Sequence, residues 1–110
     1  MRVSVLGAGE KGFLSQLRRA GADVSTRKRN ETDLFLLRVE SYADMKKLAP
    51  LEPFMIRDGA IWVIHPKGRK DVSQAEIIKL GVNAGFVDNK VSAFSETHTA
   101  LRFVIPKARR

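Results

Sequence analysis

The chain has 110 residues, a formal net charge of +8 and a pI near 10.3. Apolar residues make up 44 %, enough for one core over residues 1–110 but with little room for a cofactor domain beside a substrate domain. The absence of cysteine excludes disulfides, thiolate zinc sites and cysteine nucleophiles. No apolar run approaches the length of a membrane span.

The first residues read as a strand. Val3 to Leu6 is a short apolar run ending in glycines, without the apolar core and cleavage site of a signal peptide, so a cytoplasmic location is expected. Phe13, Leu14, Leu17 and Ala20 then recur at helical spacing, and Gly21 is a helix stop. Ala22 to Thr26 is a second, weaker strand. Asp33 to Val39 carries Leu34-Phe35-Leu36-Leu37, a run suited to a strand covered on both faces. Ser41 and Asp44 form a capping box for a helix whose inner face is Tyr42, Met45 and Leu48, interrupted by Pro50 and Pro53. Ala60 to His65 is the clearest buried strand. After a basic loop holding Lys67, Arg69 and Lys70, Ser73 and Glu76 cap a helix with Ile77, Ile78 and Val82 on one face, closed by Gly85. Val87 to Ser95 and Thr99 to Ile105 are the last strands, and the short link around Glu96 to His98 makes them an antiparallel hairpin.

This order predicts an α/β fold of the Rossmann type: three layers and a mainly parallel sheet of about six strands, closed by a C-terminal antiparallel hairpin. The hairpin, with Gly59-Ala60-Ile61-Trp62-Val63-Ile64 before it, resembles the end of the class I methyltransferase fold, where the last strand inserts beside the fifth. Relative to that fold, one strand–helix unit is missing between Thr26 and Asp33.

The first βα turn contains G-x-G-x-x-G at Gly7, Gly9 and Gly12, after a strand and at the start of a helix. There the glycines permit a tight turn, close backbone approach to a phosphate and tight helix–strand packing. The helix N-terminus offers free N–H groups to an anion, and Lys11 adds a cation. The end of the second strand should select the ligand. A nicotinamide or S-adenosylmethionine site usually places a carboxylate there, whereas this chain has Ser25-Thr26-Arg27-Lys28-Arg29. That absence weighs against both, and Arg27 to Arg29 could accept a 2′-phosphate, as in an NADP site. Lys11 also stands where the third glycine of the methyltransferase pattern belongs. The candidate cofactor-binding residues are therefore Gly7, Gly9, Lys11, Gly12, Arg27 and Lys67, for NADP or another phosphorylated nucleotide.

In open α/β sheets ligands sit beyond the carboxyl ends of the strands. Glu40, His65 and the turn Glu96-Thr97-His98 all fall on that rim in this reading. A histidine there could serve as a general base, so His65, His98 and Glu96 are the catalytic candidates. The same three could hold a metal, although nothing in their spacing demands it.

The C-terminal half resembles a bacterial family of small α/β proteins that has no assigned activity. The likeness rests on Ile61 to Gly68, Gly85 to Asp88 and Ser95 to Val104, with Leu6-Gly7-Ala8 and Gly12-Phe13 resembling its first loop. Those relatives often begin with an extra helical lead-in. The resemblance implies the fold, adds no activity, and singles out Pro66, Lys67, Glu96 and Thr97.

The sequence thus favours a binding module for a nucleotide or other anionic small molecule. A degenerate methyltransferase-like or NADP-dependent enzyme, completed by a partner or a second copy, is the alternative, beside a ligand-free interaction scaffold. Nucleic-acid binding through Arg27–Arg29, Lys67–Lys70 and Lys107–Arg110 would show a steep salt dependence. Those stretches lack the aromatic platforms that single strands need.

Overall fold

A computed structural model describes residues 1–7 and 11–110, excluding the side chains of residues 11–13. Six strands form one sheet in the order β2-β1-β3-β4-β6-β5. The strands are β1 (Arg2–Leu6), β2 (Asp23–Ser25), β3 (Thr32–Arg38), β4 (Met55–Pro66), β5 (Val87–Ala93) and β6 (His98–Val104); the helices are α1 (Lys11–Arg19) and α2 (Gln74–Asn83). The β1, β2, β3 and β4 pairings are parallel, while β6 runs antiparallel to both β4 and β5. The last strand is therefore inserted between β4 and β5, as the resemblance implied.

Alternation along the strands sorts side chains between two faces. Phe35 and Leu37 of β3, Ile61 and Val63 of β4, and Leu101 and Phe103 of β6 enter the larger core. Met45, Leu48 and Leu51 pack on them, with Ile77 and the flank of α2. Val3 and Val5, Leu36, Ile64 and Ala100 enter a smaller core, covered by Leu14 and Leu17 of α1. Helical segments thus lie on both faces, giving three layers.

Two expectations are corrected. The helix expected at Tyr42 to Leu48 is instead two 3₁₀ segments, Tyr42–Lys47 and Ala49–Phe54. Pro50 and Pro53 lack the N–H groups that α-helical bonding would need. Its cap is real: the Asp44 carboxylate accepts from the N–H groups of Glu40 at 2.9 Å and Ser41 at 3.3 Å. The fourth strand begins at Met55 rather than Ala60, with its pairing to β3 shifted between Thr32 and Leu34. Gly59 permits this because a Cβ there would lie 2.8 Å from the Asp33 carbonyl oxygen.

Candidate functional site

The parallel register brings the carboxyl ends of β1 and β3 together, since Leu6 pairs with Leu37. The next residues therefore meet. Gly7 adopts φ +79°, and a Cβ on it would stand 3.3 Å from the Cβ of Arg38, so a side chain here is disfavoured by both backbone and space. The Val39 N–H continues the ladder to the Ile64 carbonyl at 2.9 Å. On the far side of β4, Pro66 pairs with His98. One rim thus carries Gly7, Arg38, Glu40 and His98.

Glu40 is the hub of this rim. Its Oε1 accepts from Arg38 Nε at 2.6 Å and from His98 Nε2 at 3.0 Å, while Arg69 Nη1 stands 3.7 Å from Oε2. The Arg38 hydrogen bond holds the carboxyl below its ordinary range; burial opposes this and the His98 bond adds to it. An ionised Glu40 at 3.0 Å draws the His98 proton to Nε2, against Arg38 Nη2, which can only donate and stands 3.4 Å from the same nitrogen. The lone pair of His98 Nδ1 then faces Thr97 Oγ1 at 2.8 Å, so the threonine hydroxyl donates. The turn is fixed from both sides. Ser95 Oγ accepts from the N–H groups of Thr97 at 3.3 Å and His98 at 3.1 Å, and the Lys67 N–H donates to the Thr97 carbonyl at 2.8 Å.

The other sequence candidates are distributed unevenly around this cluster. His65 ends β4 on the same rim, but its alternation with Ile61 and Val63 turns it toward the larger core, and it is 3 % exposed. Its Nδ1–H donates to the Pro66 carbonyl at 3.1 Å, and Nε2 has no partner among the described residues. Burial lowers its pKa below the ordinary imidazole value, keeping it neutral. Glu96 is exposed in the turn and does not join Glu40 and His98. Among the described residues no group of three or more histidines and carboxylates could hold a metal, so His65, His98 and Glu96 are not assembled as a metal site.

Arg27 is exposed just beyond β2, with its N–H on Ser25 Oγ at 3.1 Å. Arg29, at the end of the same basic stretch, is engaged within the fold. Its guanidinium turns back to the Asp23 carboxylate at 3.0 Å and to the carbonyls of Asp23 at 2.6 Å and Val3 at 3.2 Å, tying β2 to β1. Lys28 lies over the Phe54 ring, 5.5 Å from its centroid. Lys67 is exposed beside the turn. Gly9 lies outside the described residues, and Lys11 and Gly12 are described only as the opening of α1.

Sequence reasoning missed Arg38 as a site residue. The available signal was a charge closing the Leu34–Leu37 run, at the position where a buried strand reaches its rim. A separate groove of about 560 Å³ lies away from this cluster, between Tyr42–Lys47 and α2, lined by Tyr42, Met45, Lys46, Leu80 and Asn83 among others.

The sheet order, the inserted last strand and the helical layers together define the fold of class I S-adenosylmethionine-dependent methyltransferases. No family model matches the chain, and no curated protein matches it in sequence. Solved structures do. A TehB-like SAM-dependent methyltransferase from Corynebacterium glutamicum shares 11 % identity at a TM-score of 0.73, covering 96 % of this chain and 80 % of the other. A SAM-dependent methyltransferase from Aquifex aeolicus shares 12 % identity at 0.63, covering 96 % and 82 %. A methyltransferase of calicheamicin biosynthesis, in its SAH-bound form, shares 17 % identity at 0.72. There this chain, 96 % covered, spans only 49 % of the neighbour's length. At these identities the likeness shows the fold alone.

Proposed function

We propose that the chain is a reduced methyltransferase-fold module that binds a nucleotide-derived small molecule of the S-adenosylmethionine kind. The ligand would lie on the rim between Gly7 and Glu40. The observation that carries this reading is the close packing of Gly7 on Arg38, which sets a glycine turn at the carboxyl ends of β1 and β3, on the same rim as the Glu40 carboxylate. It lies at the carboxyl end of the central strands, where open α/β sheets bind ligands. The neighbours support it, one being described with SAM and another with SAH. Against a full match stands the end of β2, where Arg27 replaces the carboxylate that would hold ribose hydroxyls. That exposed Arg27 favours a second reading, a phosphorylated nucleotide such as NADP.

Isothermal calorimetry with S-adenosylmethionine, S-adenosylhomocysteine, NADP and ATP separates the two. The first reading expects S-adenosylhomocysteine to bind, with affinity lowered about tenfold in Glu40→Gln by loss of a charged acceptor. At a hundredfold excess over its Kd, it should add about 2.7 kcal/mol of stability. Binding of NADP alone, lost in Arg27→Ala, would replace the first reading with the second. No heat with any of the four would remove both.

A further inference from the structure

Thr97, His98 and Glu40 stand in line as hydroxyl, imidazole and carboxylate. Thr97 Oγ1 lies 2.8 Å from His98 Nδ1, and His98 Nε2 lies 3.0 Å from Glu40 Oε1. This is the geometry that activates a hydroxyl nucleophile: a base within hydrogen-bond reach, oriented by a third group. Each member is constrained for its part. Glu40 is fixed by Arg38 at 2.6 Å and faces Arg69, so it stays an acceptor. The His98 side chain is only 13 % exposed. Thr97 is exposed in the turn, where its Oγ1 also meets Ser95 Oγ at 3.3 Å. Lys67, anchored to the Thr97 carbonyl through its own N–H, brings a cation to the same turn. The charged and titratable groups facing His98 are Arg38 at the end of β3 and Glu40 just beyond it, with His65 acting from β4.

We propose that Thr97 is a nucleophile that accepts an acyl group from an activated, anionic acyl donor of the acyl phosphate class, with His98 as its base and Glu40 as the residue that positions His98. In the step, the Thr97 proton moves to His98 Nδ1 as the bond from Oγ1 to the acyl carbon forms. The bond from that carbon to the phosphate oxygen breaks, its electron pair leaves with the phosphate, and the proton passes from Nδ1 to the leaving oxygen. The product is an ester on Thr97 and free phosphate. This site needs no adenosyl ligand, so it stands or falls separately from the binding reading above.

The test uses the full chain with acetyl phosphate, and with p-nitrophenyl acetate as the chromogenic probe. The expected result is a stoichiometric burst of p-nitrophenolate, with one acetyl group mapped by peptide mass spectrometry to Thr97 from either donor. The burst rate should fall about 10²-fold in Thr97→Ala and in His98→Gln and survive in Thr97→Ser. Glu40→Gln should slow the burst and alter its pH profile, which a purely structural contact would leave in place. Circular dichroism melts confirm that each variant is folded. Acetyl groups found only on lysines, or a burst unchanged in folded Thr97→Ala, would overturn the proposal.

Discussion

Glu40 gathers Arg38, Arg69 and His98 at the point where β3 leaves the sheet, whereas His65, a rim neighbour in sequence order, is turned inward. The two histidines therefore have opposite chemistry. His98 meets a carboxylate and a hydroxyl; His65 meets a backbone carbonyl and loses water. Burial depresses the His65 pKa below its ordinary value of 6.5. Below pH 6.5 the unfolded chain takes up a proton that the folded chain refuses, so this residue makes stability fall as pH drops from 6.5 toward the folded-state value. Urea unfolding between pH 7.5 and 5 should show a smaller loss of stability in His65→Gln than in the wild type, because every other titrating group is shared. Parallel pH curves for the two would mean that His65 is as solvated folded as unfolded.

At the scale of elements, α2 is held at both ends of its inner face. Ser73 caps it, accepting from the Glu76 N–H at 3.2 Å, and the Tyr42 hydroxyl accepts from the Ser73 N–H at 2.8 Å. Further along, Gly81 lets the helix lie directly on the sheet. A Cβ built there would run into the ring of Phe103, which is fully buried and has no space to yield. Gly81→Ala therefore overpacks the larger core by an amount that exceeds its gain in helix propensity of about 1 kcal/mol. The expected net loss is about 1–3 kcal/mol in chemical denaturation. A variant as stable as the wild type would show that α2 rides higher on β6 than these contacts place it. The caps at Ser41 and Ser73 were legible because a capping box is local. The 3₁₀ form of Tyr42–Lys47 was not: its residues have helical spacing, and the prolines that deny it α-helical continuation lie beyond its end. The early start of β4 was hidden by Arg57-Asp58-Gly59, which reads as a turn until a strand beside it supplies the pairing.

For the whole molecule, the mainly parallel sheet with its antiparallel closing hairpin was readable because alternating strands and helices leave few topologies, while the insertion of the last strand beside β4 came from the resemblance to the methyltransferase fold. The rim cluster was only half readable. Which residues end a strand follows from its apolar run, so Glu40, His65 and His98 could be placed on one edge. Which of them touch depends on the Pro66–His98 register and on the face each strand presents, and those are set by pairings between distant strands that bring Arg38 and Glu40 to a residue some sixty positions further along the chain. Arg27 and Arg29 show the same limit: adjacent basic residues of equal promise, one exposed and one bound to Asp23 and two carbonyls.

Binding of an adenosyl ligand as proposed requires the rim formed by Gly7, Arg38, Glu40 and the His98 turn to be a ligand surface. Titration of S-adenosylhomocysteine into 15N-labelled protein reads that surface residue by residue. The amides of Gly7, Val39 and Glu40 should show the largest shift changes and saturate together, with smaller changes at Ala43 and Ala84 beside the separate groove. Saturating changes centred on that groove, with Gly7 and Glu40 unmoved, would contradict it.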